Sequence, residues 1–334
     1  MIEVYGLSKH YGQVKAVNDV SFTVGKDQVL GFLGPNGAGK TTVMKVLTGY
    51  HFPTGGTALV DGISVQDFPV EVKKRIGYLP ESVPLYGDLT VDEYLSFIAA
   101  ARLIPADKRK RAIDACLDSC GLRPYRSRKI ETLSKGYKQR AGLAQAIIHD
   151  PPILILDEPT TGLDPNQIIE IRSLIRELGK RKTVILSTHI LQEVAAVCSQ
   201  VLIINEGRIA AQGRPEEIAG AMRGGDTWEL VLKGAAASSI GEKLTRLGKG
   251  PASVTAEDLN DGMVSLSFFV PGAEIPGREE AGGEYFDGEA IFDWAVAEKL
   301  KILKMNRKTL SLEDIFVQLT KEEGGPADSE GAPA

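Results

Sequence analysis

Gly34-Pro35-Asn36-Gly37-Ala38-Gly39-Lys40-Thr41 is the stretch from which the rest of the chain can be read. It matches G-x-x-x-x-G-K-[ST], in which a Gly-rich loop curls backbone N–H groups around phosphate oxygens where a Cβ would clash. Its surroundings fit that use. The apolar run Val29-Leu30-Gly31-Phe32-Leu33 reads as a buried strand, and 40–48 reads as the helix that follows. Lys40 is then the cation on the terminal phosphates, Thr41 the hydroxyl on Mg²⁺, and Thr42 its neighbour in the first turn. The helix N-terminus adds partial positive charge facing the anion. A tight Gly-rich turn without a ligand is the plain alternative, and the strand–loop–helix context weighs against it.

A second stretch, Ile153-Leu154-Ile155-Leu156-Asp157-Glu158, carries four aliphatic residues and then two carboxylates. Such a run predicts a central strand buried on both faces, which delivers its acids to the sheet edge where ligands bind in α/β folds. Asp157 suits a Mg²⁺ shell and Glu158 can polarise an attacking water. Taken alone, a buried strand ending in a solvated acidic turn explains the pattern equally well. After a phosphate loop the functional reading prevails.

Around these two stretches, strand-like segments stand at 20–24, 28–32, 57–60 and 75–79. Helical periodicity then takes over from 91 to about 120, with Val91, Tyr94, Leu95, Ile98, Ile113 and Leu117 on one face. Strand–helix alternation returns at 152–156, 168–178, 183–187, 191–197 and 201–204. The pattern predicts an α/β fold with a parallel, helix-flanked sheet interrupted by a helical insertion at about 85–145.

The chain loosens at 220–225, which predicts a boundary between a domain over 1–222 and an accessory domain over 226–320. In the latter a strand (228–232), helix (238–247), two strands (253–256, 264–270), helix (288–299) and strand (301–305) precede a final helix (311–319). The first six have the β-α-β-β-α-β order of a ferredoxin-like α+β unit. The Gly/Pro-rich acidic stretch 271–288 reads as a mobile loop, and 321–334 as a disordered tail.

The 334 residues hold 39 Lys+Arg against 44 Asp+Glu, a net charge of −5, which gives no support to a nucleic-acid binder. Cys116, Cys120 and Cys198 form no framework spacing and point to a reducing compartment. Cys116 and Cys120 lie four apart on the helical stretch, either a metal or redox pair or, more plainly, small residues packed on a helix face. Residues 1–12 lack the basic-then-apolar order of a secretory signal, and no apolar run reaches the roughly 18 residues of a spanning helix. A cytoplasmic chain is expected, reaching a membrane only through another protein.

A third stretch, Leu133-Ser134-Lys135-Gly136-Tyr137-Lys138-Gln139-Arg140, precedes the Asp157 strand by about a helix and a turn. Ser134 reads as the N-cap of a helix over 136–149, and a helix start with a hydroxyl and a bare Gly is also a second anion site. The stretch resembles the signature of the ABC ATPases, whose usual core is Leu-Ser-Gly-Gly-Gln. The order of the other motifs is similar to that family over residues 1 to about 220. Tyr11 stands where the family places an aromatic on adenine, Gly162-Leu163-Asp164 resembles its D-loop, and His189 resembles its switch histidine.

The resemblance implies a P-loop NTPase core that hydrolyses ATP with Mg²⁺. Each nucleotide would lie between one subunit's phosphate loop and Ser134, Lys135, Gly136 and Tyr137 of another, in a homodimer or heterodimer. It further implies a separate transmembrane permease as partner, with the chain peripheral on the inner face of the cell membrane. Residues 76–81, 133–140 and 156–165 look like ATPases of short, separately encoded permeases, closest to gliding-motility ATPases and related to drug-export ones, which leans towards export. Leu312-Glu313-Asp314-Ile315-Phe316 resembles their terminal helix. Glu81 stands where most of the family has a Gln on Mg²⁺ and the permease, and Lys135 and Tyr137 replace Gly and Gln in the signature. Two other readings are an ABC ATPase of translation or DNA maintenance and a nucleotide sensor without turnover. The absence of a second cassette or long coiled coil opposes the first, and the presence of both Glu158 and His189 opposes the second.

Overall fold

The computed structural model describes residues 1–215, 217–218, 225–244, 252–271 and 288–308. They divide into two compact units, Met1–Pro215 and a second within Glu216–Gln318. The break falls before the Gly-rich stretch at 220–225. The expected final helix at 311–319, the tail at 321–334 and most of the loop at 271–288 lie outside the described residues.

In the first unit, two sheets share one core. Strands β1 (Ile2–Tyr11), β2 (Val14–Val24), β4 (Gly55–Val60) and β5 (Ile63–Ser64) form an antiparallel sheet in the order β2-β1-β4-β5. Burial alternates along β2, with Val20, Phe22 and Val24 inside and Ser21 and Thr23 outside, as a sheet with one wet face requires. This sheet was not legible as such, because its strands are separated in sequence by the phosphate loop and helix α1 (Lys40–Leu47).

The second sheet runs β10 (Arg208–Gly213), β9 (Gln200–Asn205), β3 (Val29–Leu33), β8 (Thr183–Thr188), β7 (Ile153–Asp157), β6 (Ile76–Leu79). It is parallel except for the β9–β10 hairpin. Every residue of β3, β7 and β8 is buried, because helices and the first sheet cover both faces. The continuous apolar runs at 29–33 and 153–156 are the sequence image of that double burial.

Helix α2 (Pro69–Arg75) runs directly into β6, so Arg75, expected in a strand, closes a helix instead. Between β6 and β7 the chain makes the helical insertion. It contains α3 (Val91–Ala101), α4 (Ala106–Ser119) and α5 (Lys135–Ile147). The periodicity from 91 to 120 is thus two helices, broken where Leu103 takes φ +58° and Pro105 caps the next. Thr90 and Glu93 start α3 with a reciprocal capping box. Cys116, Cys120 and Cys198 are buried, unbridged thiols. Burial pushes the Cys116 and Cys198 thiols up to about 12 and raises Cys120 further, so all three stay protonated and behave as packing groups. Helices α6 (Pro165–Gly179) and α7 (Leu191–Val197) complete the unit.

The second unit contains β11 (Gly225–Lys233), α8 (Ala237–Leu244), β12 (Ala252–Leu259), β13 (Met263–Pro271), α9 (Gly288–Ala297) and β14 (Lys301–Lys308). Its strands lie in the order β12-β13-β11-β14, each antiparallel to its neighbours. Alternate residues Trp228, Leu230 and Leu232 of β11 and Val264, Leu266 and Phe268 of β13 point to one face. Ile240 and Leu244 of α8 and Ile291, Trp294 and Ala295 of α9 cover it. The unit therefore owns a core separate from that of the first.

Two outcomes follow from this packing. A Cβ on Gly77 of β6 would stand 2.1 Å from the Ala146 carbonyl of α5 and 2.8 Å from Leu154 Cδ2. Gly77→Ala should therefore cost about 3 kcal/mol, the upper end of overpacking penalties, read as a lower urea midpoint at unchanged slope. A chain ending at residue 222 should keep a single cooperative melt, because the described core of the first unit is built from residues 2–204. Aggregation without a transition would contradict that independence.

Candidate nucleotide-hydrolysis site

Helix α1 begins at the phosphate loop without any side-chain cap, its N-cap being Gly39 at φ +106°. Its first N–H groups are left for an anion, and no side chain competes for them. The loop's shape is enforced from outside. A Cβ on Gly39 would meet the Ala16 carbonyl at 2.4 Å, and one on Gly34 the Ile204 carbonyl at 2.5 Å. Gly207, in the β9–β10 turn, donates to the Ala38 carbonyl at 3.0 Å and accepts from Asn18 N at 2.8 Å. The loop is thus clamped between β2 and that turn, with Ala38 packed into the core.

Lys40 is only 6% exposed. Its Nζ donates to the Gly34 and Pro35 carbonyls at 2.8 and 3.1 Å and lies 3.4 Å from Glu158 Oε1. A buried ammonium needs such partners, since desolvating it alone costs several kcal/mol.

Asp157, the last residue of β7, is fully buried. Its Oδ1 accepts from Thr41 Oγ1 at 3.3 Å and from Ser187 Oγ of β8. Its Oδ2 is buried without a hydrogen-bond partner. Burial raises the Asp157 pKa, the Ser187 and Thr41 hydroxyls pull it back, and the charges of Glu81 and Glu158 raise it. An orphaned carboxylate oxygen beside a threonine hydroxyl fits a hard divalent cation such as Mg²⁺, which takes oxygen donors and would offset that burial.

Glu158 follows at φ +48°, a left-handed conformation that costs a non-glycine residue about 1–3 kcal/mol. The Ser187 carbonyl and hydroxyl hold its N–H at 3.1 and 3.2 Å. That turn aims the carboxylate into the cleft. Oε2 accepts from Thr161 Oγ1 at 3.2 Å and lies 2.9 Å from His189 Nδ1. His189, just past β8, has a side chain 43% exposed.

One cleft collects the candidate phosphate, metal and catalytic side chains Lys40, Thr41, Glu81, Glu158 and His189, and Asn36, Gly37, Gly39, Thr42 and Thr161 also line it. Gly34 and Pro35 contribute through the carbonyls on Lys40. Tyr11, at the end of β1, is 43% exposed and not among the lining residues; its ring packs edge-on to His51 at 5.7 Å, under Lys9.

Ser134, Lys135, Gly136 and Tyr137 also lie outside the cleft. Ser134 caps α5 as expected, accepting from Tyr137 N at 3.5 Å, and the helix starts at Lys135, one residue before the expected 136. Tyr137 stacks on Tyr125 with centroids 4.0 Å apart, which accounts for an aromatic in place of the usual Gln. Lys135 lies against Gly162, and Gln167 against Gly136. Asp164 caps α6 by accepting from Gln167 N at 2.9 Å. Ser187 and Thr161, which fix the two carboxylates, escaped the sequence reading; the only trace of Ser187 was a hydroxyl ending an apolar strand.

This geometry defines a P-loop ATPase. The sequence profile of the ABC transporter family matches residues 17–161. The chain is 33% identical over 324 residues to the uncharacterised ABC transporter ATP-binding protein YxlF of Bacillus subtilis (strain 168), covering 96% of this chain and 99% of that one. To the Nod factor export ATP-binding protein I of Burkholderia orbicola (strain AU 1054) it is 31% identical over 331 residues, with 96% and 97% covered. A solved ATP-binding subunit of an ABC transporter superposes with a TM-score of 0.61 at 32% identity, covering 66% of this chain and 92% of that one. The chain belongs to the ATP-binding proteins of ABC transporters and is an ATP-hydrolysing subunit of that family.

Lys40→Ala leaves the loop's backbone donors but removes its buried cation. MgATP affinity measured calorimetrically should fall by about tenfold or more, roughly 1.4 kcal/mol. Unchanged affinity and turnover would remove Lys40 from the phosphate site.

Proposed function

We propose that this chain powers a separate transmembrane permease by MgATP-driven closure of two ATPase subunits. The observation that carries the reading is the split between two half-sites. Lys40, Thr41 and Glu158 line one cleft, with Asp157 buried behind Thr41, while Ser134–Tyr137, the motif that resembles a second phosphate contact, lies outside it. A second subunit is needed to bring the two halves onto one nucleotide.

In the closed pair, the Gly-rich loop and Lys40 hold the phosphates, and Tyr11 stacks on adenine. Ser134 and Gly136 of the opposite subunit face the γ-phosphate. Mg²⁺, held by Thr41 and Asp157 with Glu81 beside them, would supply charge neutralisation on the phosphate oxygens. Glu158 takes the proton of the attacking water, and His189, bonded to Glu158 through Nδ1, turns its other nitrogen towards the γ-phosphate. Loss of the γ-phosphate removes the shared ligand, and the pair reopens.

The helical insertion at about 85–145 and the exposed segment after Glu81 are the surfaces assigned to the permease. The name of the Nod factor export relative supports export as the direction. No helix among the described residues is long and apolar enough to cross a membrane, which agrees with a peripheral subunit on the inner face. The antiparallel order β12-β13-β11-β14 and its two covering helices support a ferredoxin-like class for the accessory domain at 226–320.

Glu158→Gln tests the mechanism. Lys40, Thr41 and Asp157 are untouched, so ATP should bind, but an amide cannot take the water's proton. Unspent ATP then acts as a ligand of the closed pair only and holds it together by mass action. Light scattering should show monomer without nucleotide and stable dimer with MgATP, whereas the wild type returns to monomer as ATP is consumed. A variant that binds ATP but stays monomeric would overturn the shared-site reading.

A further inference from the structure

Behind the catalytic cleft lies a buried carboxylate that the mechanism above does not use. Glu193, on α7, is 1% exposed. Its Oε1 accepts from Thr160 Oγ1 and lies 3.7 Å from Arg172 Nη2, and its Oε2 accepts from Thr188 Oγ1 at 2.8 Å. Thr160 and Thr188 are themselves buried, at 3% and 0% exposure. A carboxylate so far from water persists only when paired, and here two hydroxyls bond it, one on each oxygen, while the Arg172 guanidinium balances its charge.

The partners are placed so that Glu193 touches both halves of the catalytic pair at one remove. The Thr188 hydroxyl donates a hydrogen bond to Glu193 and accepts one from Ile190 N at 3.0 Å. It therefore fixes the backbone on both sides of His189. Thr160 lies two residues after Glu158, in a turn where Thr161 N donates to the Glu158 carbonyl at 3.2 Å and Leu163 N to the Thr160 carbonyl at 3.1 Å. Anchoring Thr160 anchors the turn that holds Glu158 at φ +48° and sets the Thr161 hydroxyl on Glu158 Oε2. Arg172 belongs to α6, the helix that Asp164 caps.

We infer that Glu193 is a positioning residue for hydrolysis: through Thr188 and Thr160 it sets the approach of His189 Nδ1 to Glu158 Oε2, and through Arg172 it ties that pair to the helix that begins at Asp164. The inference rests on the assignment of Glu158 and His189 made above. A salt bridge that merely stabilised the fold would not need both of its hydroxyl partners to flank the two reacting side chains. The 2.9 Å contact between those side chains joins two separate segments, one after β7 and one after β8. Glu193 bonds both segments through their side chains, beside the direct contacts of Ser187 to Glu158 N.

The test separates turnover from binding in the full chain. Thr188→Val removes the hydroxyl at nearly constant volume, and Glu193→Gln removes the charge. Each should lower kcat by about tenfold to a hundredfold, the scale of a misplaced catalytic group, with MgATP affinity within about twofold of wild type. Thr188→Ser, which keeps the hydroxyl, should restore kcat to within about threefold. In a His189→Ala background, either substitution should cost less than a further twofold or so, because residues acting as one unit are non-additive.

Wild-type kcat in a Thr188→Val variant that binds MgATP would overturn the inference. A loss confined to affinity, or full multiplicative losses in the His189→Ala background, would do so as well. If Glu193→Gln does not fold, Thr188→Val and its serine rescue decide alone. Full turnover in Glu158→Gln and His189→Ala would overturn the catalytic pair and the inference with it. Loss in those two variants with wild-type kcat in Thr188→Val and Glu193→Gln would overturn the inference only.

Discussion

The site is organised around one buried set of opposite charges, Lys40 facing Glu158 at 3.4 Å with Asp157 beside them. Taking an ammonium and two carboxylates out of water costs several kcal/mol each unless every group finds a partner. The partners come from three adjacent strands of the parallel sheet. The loop after β3 supplies carbonyls to Lys40. The end of β8 supplies Ser187 to both acids, and β7 delivers the acids themselves. Because β8 pairs directly with β7, the Ser187 hydroxyl near its end reaches both acids.

The site also carries backbone strain of its own. Glu158 takes a left-handed turn, and Gly34 and Gly39 lie so close to the Ile204 and Ala16 carbonyls that no side chain fits. Each is a local cost that the surrounding buried sheet over-determines. In the helical insertion, by contrast, α3 and α5 start with side-chain caps, Thr90 with Glu93 on the first and Ser134 on the second.

The second unit follows a different economy. Its antiparallel sheet buries one face under two helices, with Trp228, Phe268 and Trp294 among the buried side chains. None of the residues that line the ATP cleft comes from it. Nothing in its pattern marks a phosphate or metal site, and no metal-ligating group of three or more His, Cys, Asp or Glu occurs among the described residues of either unit. Its distinct core separates it from the ATPase unit.

Read as sequence, the chain determined its phosphate loop, its paired carboxylates and its doubly buried strands. These depend on short-range facts: Gly where a Cβ would clash, aliphatic runs where both faces are covered, acids at a strand end. Tertiary structure alone decided the rest. The antiparallel sheet of β1, β2, β4 and β5 joins segments on either side of the phosphate loop and α1, so no local periodicity could announce it. Tyr137, by motif a departure, became a stacked ring only through Tyr125. The roles of Ser187, Thr161 and Glu193 depend on which strand ends lie side by side. A hydroxyl or carboxylate in a linear sequence carries no mark of the partner that folding will bring to it.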